Sequence, residues 1–217
     1  MAEVNLLDLY PRTRRPIAER AAAAPRERTT ARRFGPEYFD GARTQGYGGY
    51  RYDGRWIPVA RRLRDFYGLA RGDRVLDVGC AKGFLLHDLR TAVPGLHVAG
   101  LDVSAYAVSN AIGDVRPFVH VGSAVALPYP DAAFDLVLAI NVIHNLARAE
   151  CAAAIREIER VSRRGKYVQV DSFFTEEQRT NFERWQLTAL TWFDPEGWRR
   201  LFADAGYTGD YYWTITE

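Results

Sequence analysis

One short segment joins a strand-like run to a helical pattern through a turn of small residues. Residues 74–78 are mostly apolar, residues 79–83 read Gly-Cys-Ala-Lys-Gly, and Leu85, Leu86 and Leu89 fall on one face of a helix. Glycines let a backbone approach a ligand closely, and the free N–H groups at a helix start face that ligand. The segment therefore predicts a site for a nucleotide-like molecule beyond the end of a strand.

The spacing of the small residues separates two kinds of nucleotide-binding turn. The dinucleotide pattern G-x-G-x-x-G, counted from Gly79, meets Ala81 and Phe84 where it needs its second and third glycines. The pattern acid-x-Gly-x-Gly-x-Gly is met by Asp77, Gly79 and Gly83, and Ala81 is its one departure. This second pattern resembles motif I of the class I S-adenosylmethionine (SAM) methyltransferases.

Two later stretches extend the resemblance. Residues 98–102 predict a strand that ends in Asp102, about 20 residues beyond the turn, where a ribose-binding carboxylate is expected. Residues 121–137 resemble the adenine-binding loop and fourth strand of the family, with Ser123 where the family often has Asp. Over roughly residues 75–170 the chain is identified as a member of this superfamily, similar to its small stand-alone bacterial enzymes. The resemblance implies SAM as the cofactor, contacted by Asp77, Gly79, Cys80, Ala81, Gly83, Asp102, Val103, Ser123, Ala124 and Asn141.

Strand and helix patterns alternate from residue 74 onward, which predicts a mostly parallel sheet with helices on both faces. The expected fold is a three-layer α/β/α sandwich with six or seven strands. The resemblance implies two antiparallel strands at the end of the chain, and the sequence shows one clear candidate, residues 210–216. We expect an antiparallel C-terminal strand and a methyltransferase domain over residues 67–217.

Residues 1–66 differ in composition from the rest of the chain. A helical pattern begins at Pro16, and Pro25 is expected to end it. Residues 34–56 are rich in glycine and aromatics, which suits either a surface loop packed by its own side chains or a lid over the ligand site. We favour the lid, so residues 1–66 form a helical segment plus a glycine-rich aromatic lid.

Methyl transfer needs an aligned acceptor atom and, where that atom carries a proton, a base. His144 follows the fourth predicted strand and has a suitable pKa for a base, although it could instead bond a backbone carbonyl. Asp171 follows the fifth strand and could hold a substrate hydroxyl or ammonium, or cap the next segment. We take both as candidate catalytic residues and expect no metal, because no third ligand can be named. The candidate substrate contacts are Tyr47, Tyr50, Asn145, Asp210 and Tyr211.

The composition of the chain limits the kinds of metal or disulfide site, the cellular location and the partners that we expect. Cys80 and Cys151 are the only cysteines, too few for a disulfide framework, a cysteine zinc site or an iron–sulfur cluster. Without a visible leader or membrane span, the cytoplasm is the expected location, for a monomer or homodimer. Residues 1–64 carry 14 arginines against 7 acids, while the rest of the chain is net acidic.

These features favour a methyltransferase acting on an O or N atom of a small polar metabolite, such as a sugar, an amino sugar or a natural-product intermediate. The sequence lacks the Asn/Asp-Pro-Pro-aromatic motif of enzymes that methylate nucleobase amino groups, so we expect no nucleic-acid partner. Two alternatives remain open. One is an RNA or protein methyltransferase that docks through the arginine-rich N-terminal part. The other is a SAM-binding protein without catalytic activity.

Overall fold

The computed structural model describes residues 1–11 and 15–217. Within them the helices are α1 (Ile17–Ala31), α2 (Pro36–Asp40), α3 (Ile57–Tyr67), α4 (Phe84–Ala92), α5 (Ala105–Ser109), α6 (Arg148–Val161), α7 (Glu176–Trp185) and α8 (Pro195–Asp204). The strands are β1 (Arg74–Val78), β2 (His97–Asp102), β3 (Val119–Val121), β4 (Phe134–Ile140), β5 (Ser162–Ser172) and β6 (Asp210–Ile215). Short 3-10 turns occupy Arg116–Phe118 and Ile143–Asn145.

The strands form one parallel sheet in the order β3-β2-β1-β4-β5-β6. One face is covered by α6 and α8, through buried side chains such as Ile155, Ile158 and Trp198. The other face is covered by α3 and α4, through Leu63 and Leu86. The predicted α/β/α sandwich is confirmed, and the carboxyl ends of all six strands meet at one edge, where ligands bind in such folds.

The C-terminal strand corrects one expectation. β6 runs parallel to β5, with Tyr167 opposite Asp210 and Ser172 opposite Ile215, so the expected antiparallel strand is wrong. The link at residues 187–191, between α7 and α8, contains no strand. Between β5 and β6 the chain passes through α7 and α8, which return it to the amino end of the sheet, as a parallel connection requires. β6 therefore begins far from the ligand edge and ends at it.

The start of the chain lies along the outer side of β6. The Val4 N–H donates to the Tyr211 carbonyl at 3.0 Å, and the Tyr211 N–H donates to the Ala2 carbonyl at 3.0 Å. Leu6 is fully buried in the core beneath. These residues occupy backbone groups that would otherwise form an open sheet edge.

Helix α1 continues through Pro25, so the prediction that this proline ends the first helix is wrong. Proline removes one backbone donor and strains the turn before it. Arg28 of α1 and Arg32, the residue directly after α1, reach the part of the chain opposite. Arg28 donates to the Glu183 carbonyl at 2.9 Å, and Arg32 donates to the Ala189 carbonyl at 3.4 Å. Tertiary packing therefore maintains a helix that local preference alone would interrupt.

The glycine-rich aromatic segment lies over the turn after β1. Phe39 is buried against Ala81 of that turn. Lys82 donates to both carboxylate oxygens of Asp40 at 2.7 and 2.8 Å and to the Tyr50 carbonyl at 3.0 Å. The segment is thus held to the loop that was predicted to carry the ligand.

The division at residues 66 and 67 falls inside α3, one residue before this helix ends. Val59, Ala60 and Leu63 of α3 are fully buried and belong to the core of the sheet. The helix therefore packs as an outer layer of the sandwich, although it lies N-terminal to the predicted boundary.

Candidate functional site

Two adjoining cavities open at the carboxyl edge of the sheet, of about 180 and 1100 Å³. Gly79, Ala81, Asn141, Asn145 and Tyr47 line both. Of the other predicted site residues, the smaller cavity is lined by Asp102, Val103, Ser123 and Ala124, and the larger by Tyr50, Asp77, Cys80, His144 and Asp171. Gly83, Asp210 and Tyr211 line neither cavity.

The turn after β1 explains its glycines. Gly79 has φ +77°, and a Cβ atom there would lie 2.1 Å from the Val142 side chain, so no other residue fits. Gly83 has φ +74° and lies immediately before α4, where a Cβ atom would lie 2.8 Å from Val115. Gly83 therefore permits the close packing of the turn against Val115, and it lines neither cavity. Ala81, the departure from the glycine pattern, has φ +50°, a strained conformation for a residue with a side chain.

Asp102 is held rigidly at the end of β2. Its two carboxylate oxygens accept hydrogen bonds from the Ala81 N–H and the Ser104 N–H, both at 2.8 Å. Burial raises the pKa of Asp102, and the two backbone donors oppose that rise. Each oxygen retains a lone pair toward the smaller cavity, so the carboxylate can accept hydrogen bonds from the two hydroxyls of a ribose.

Asp77 is buried near the end of β1, and its carboxylate accepts no hydrogen bond from any residue in the described ranges. Burial, followed by the nearby charge of Asp102, raises its pKa to about 8. The ionised form of such a buried acid becomes favourable when a ligand brings a positive charge close to it. SAM carries an ammonium group and a ribose, so Asp77 and Asp102 together fit this cofactor.

We expect Asp77→Asn to stabilise the cofactor-free protein at pH 8. The folded-state pKa of about 8 exceeds the ordinary value of 3.8, so between these values only the folded state keeps the proton. Stability then falls as pH rises through that window, and asparagine removes this fall. Urea unfolding should give equal stabilities near pH 4 and an advantage for the variant on the order of 5 kcal/mol at pH 8. Parallel pH profiles for the two proteins would contradict the shift.

His144 and Asp171 form a pair in the larger cavity. The Asp171 N–H donates to His144 Nδ1 at 3.1 Å, and His144 Nε2 lies 3.2 Å from the Asp171 carboxylate. Burial lowers the pKa of His144, so the ring is neutral near pH 7, and the two contacts put its one proton on Nε2. Nδ1 is therefore occupied by the Asp171 N–H, and the protonated Nε2 lies beside the Asp171 carboxylate. The carboxylate, partly exposed, is the group of this pair with a free lone pair for a substrate.

Two polar residues that the sequence analysis missed support this edge of the site. Gln169 Nε2 donates to Thr214 Oγ1 at 2.9 Å, and Thr214 Oγ1 donates to Asn141 Oδ1 at 2.8 Å. Asn141 has φ +57°, which asparagine tolerates better than most residues. Gln169 could have been identified from the sequence, because it lies near the end of a predicted strand. Thr214 could be found only with the parallel direction of β6.

The direction of β6 also moves two expected substrate contacts. Asp210 lies at the amino end of this parallel strand, where it accepts hydrogen bonds from the Ala2 N–H at 2.9 Å and Tyr67 Oη at 3.2 Å. Tyr211 is buried in the core beside Phe202. The expectation that Asp210 and Tyr211 form a wall of the acceptor site is corrected. The last residues of the strand, Tyr212–Ile215, line the larger cavity instead.

Two further properties concern the described ranges as a whole. They contain no group of three or more His, Cys, Asp or Glu side chains placed to hold a metal ion. No helix within them combines the length and the apolar character that crossing a membrane requires.

Comparison with known proteins agrees with the geometry. Residues 76–170 match the family described as "Methyltransferase domain". The chain is 33% identical over 119 residues to 27-O-demethylrifamycin SV methyltransferase of Amycolatopsis mediterranei, covering 52% of this chain and 43% of that protein. It is 31% identical over 143 residues to 2-phytyl-1,4-naphtoquinone methyltransferase of Synechocystis sp., covering 61% of this chain and 59% of that protein. The chain spans less than half the length of the first curated relatives that it matches.

A solved structure shares the fold. It is a SAM-dependent methyltransferase from Archaeoglobus fulgidus, with a TM-score of 0.55 and 20% identity over 79% of this chain and 72% of that one. The family match and the shared fold cover the strands whose ends carry Gly79, Asp102 and Asn141. Residues 76–170 are therefore similar to a methyltransferase domain, and the sheet that contains them shares the fold of a SAM-dependent methyltransferase.

Proposed function

We propose that this protein transfers a methyl group from SAM to an oxygen or nitrogen atom of a small polar metabolite. One observation supports this function above the others. A carboxylate with an ordered histidine partner, Asp171 with His144, lines a cavity that adjoins the cofactor turn. Relatives whose names state small-molecule methylation, at a rifamycin and at a naphthoquinone, agree with it.

The smaller cavity and the glycine turn suit the cofactor. Asp102 would hold the ribose hydroxyls, Asp77 the ammonium group, and Ser123 with Ala124 the adenine. The exposed face of Val103 adds apolar surface to the same cavity. SAM supplies an electrophilic methyl group when bound. The chain's own contribution is to fix these contacts on the ends of rigid strands, which aligns an acceptor with that group.

Asp171 is the proposed proton acceptor. Its carboxylate lies in the larger cavity, 3.2 Å from Nε2 of the neutral His144 ring, whose Nδ1 accepts a hydrogen bond from the Asp171 N–H. An acceptor hydroxyl bound there would lose its proton to the carboxylate as the new C–O bond forms and the methyl–sulfur bond breaks. An ammonium would give up its proton to the carboxylate first, which frees the lone pair that then attacks the methyl group. His144 then acts as a positioning residue, because its Nδ1 already accepts the Asp171 N–H and its Nε2 carries the proton.

The aromatic segment is proposed as the lid of the site. Tyr47 and Tyr50 line the larger cavity, and Tyr50 stacks on Phe84 at 4.9 Å between ring centroids. The bond from Lys82 to the Tyr50 carbonyl ties the segment to the cofactor turn. In this position the aromatic rings exclude water from the reacting groups.

The alternative of an RNA or protein substrate receives less support from the arginines. Arg28 and Arg32 donate to backbone carbonyls within the fold. Arg55 forms a two-point pair with Asp53, and Arg20 is buried. These side chains are used internally and do not form one exposed basic surface.

The test is methyl transfer to fractionated cell extract. Purified protein and methyl-labelled SAM would be incubated separately with the small-molecule, RNA and protein fractions. Label in the small-molecule fraction that Asp171→Asn abolishes would support the function. Label in RNA or protein would replace the substrate class, and SAM binding with no label in any fraction would favour a non-catalytic role.

A further inference from the structure

Three arginines converge on one indole ring at the wall of the larger cavity. The guanidinium carbons of Arg20, Arg43 and Arg15 lie 3.7, 5.0 and 5.7 Å from the centre of the Trp185 ring. All four residues line the cavity that also contains Asp171. The ring face attracts the guanidinium groups, but three positive charges around one ring also repel each other.

No acid of the described residues pairs directly with this cluster, and Glu217, which lines the same cavity, forms no salt bridge with it. Among residues 1–11 and 15–217, no carboxylate lies within 4.0 Å of a guanidinium nitrogen of Arg15, Arg20 or Arg43. Arg55, which lines the same cavity, differs because it is paired with Asp53. Burial, and then the charge of Arg43, lowers the pKa of Arg20 to about 10, as expected for crowded cations without a counter-charge.

The hydrogen bonds assign different tasks to the three arginines. Arg20 donates to the carbonyls of Arg43 and Gly46, so it supports the lid segment. Arg43 donates to the Tyr47 carbonyl at 2.9 Å through Nη1, and Arg15 donates to Thr216 Oγ1 at 2.7 Å through Nη1. Within the described residues, Nε and Nη2 of both Arg43 and Arg15 have no acceptor. These donors have the fork geometry that binds a carboxylate or phosphate at two points.

We propose that the larger cavity takes a methyl acceptor that carries an oxyanion, a carboxylate or a phosphate ester, and that Arg43 and Arg15 bind this group beside Trp185. The inference rests on the proposed function, since it describes the substrate of the same site. The acceptor would then be recognised at two separate points. The anion meets the arginines, and the atom to be methylated meets Asp171.

The test is calorimetric titration with phenyl phosphate and with benzoate, using benzyl alcohol as the uncharged counterpart. Each probe would be titrated into the protein with and without S-adenosylhomocysteine, whose own affinity is measured first. At least one anion should bind more than tenfold tighter than benzyl alcohol, and its affinity should fall as salt is raised. The stronger of the two anions then identifies the oxyanion.

Charge-matched variants locate the binding group. Arg43→Gln and Arg15→Gln should each weaken anion binding about 10- to 100-fold, because each removes a charge-assisted contact. Arg61→Gln, an exposed change on α3 with the same loss of charge, should leave it within twofold. S-adenosylhomocysteine affinity should stay unchanged in all three variants, which also reports that they fold.

Three results would overturn the inference. They are equal affinity for anions and benzyl alcohol, an equal loss in Arg61→Gln, and tighter binding of a short single-stranded RNA than of either anion at these arginines. Failure to bind S-adenosylhomocysteine, with anion binding intact, would instead count against the proposed function. The two failures are therefore distinguishable.

Discussion

Exchanging Asp171 for asparagine should lower the rate of methyl transfer by about 10²- to 10⁴-fold, the range that a general base contributes. The carboxylate is the member of the His144 pair that keeps a free lone pair toward the larger cavity. Asparagine preserves its size but cannot take up the proton. Single-turnover measurements with the identified acceptor would give the rate, and calorimetry should find cofactor affinity within about threefold of the original.

His144→Ala is the informative companion to that variant. If His144 only orients the carboxylate, its removal should cost less than the loss of Asp171, and the pH profile should keep its shape. A larger loss in His144→Ala than in Asp171→Asn, together with the loss of one ionisation from the pH profile, would instead identify the imidazole as the base.

Replacing Asp102 with alanine should weaken SAM binding by 100-fold or more. Two hydrogen bonds from ribose hydroxyls to a buried carboxylate are each worth about 1.5–3 kcal/mol. The variant also leaves the Ala81 and Ser104 N–H groups without their acceptor, which loosens the turn that contacts the ligand. Titration with S-adenosylhomocysteine measures the effect directly.

The control for this loss is Asp131→Asn, a change at an exposed acid whose side chain pairs with Arg160 on the surface. It should leave cofactor affinity unchanged. If the Asp102→Ala variant binds S-adenosylhomocysteine within tenfold of the original affinity, Asp102 does not bind the ribose.

Local sequence patterns predicted the central fold well because its strands are short, apolar and bounded by turns. The strand Arg74–Val78 has the bounds of the apolar run at residues 74–78, and the strand His97–Asp102 ends at Asp102 as expected. Two expectations failed where distant contacts decide the outcome. Pro25 lies inside a helix that packs on α7, and β6 takes its direction from the connection through α8.

The predicted site divides in the same way. Asp77 and Asp102 lie at the carboxyl ends of strands and Asn141 directly follows one. Parallel strands bring these ends together, so sequence position alone was sufficient to place the three residues. The cluster around Trp185 unites Arg15 just before α1, Arg20 of α1, Arg43 of the lid segment and Trp185 of α7, which are up to 170 positions apart in the chain. No local pattern marks such a cluster. It forms only when the helices pack.

With Asp77 paired to the ammonium group of SAM as proposed above, its raised pKa should couple cofactor binding to proton release. Near pH 7 the empty site holds its proton, because the pKa is about 8. Pairing with an ammonium group favours the ionised acid, so each binding event expels close to one proton into the buffer. Affinity then increases with pH, by at most tenfold per unit, until it levels off near pH 8. The cofactor site consequently behaves as a proton-exchanging site, and the acidity of its surroundings sets how much cofactor it retains.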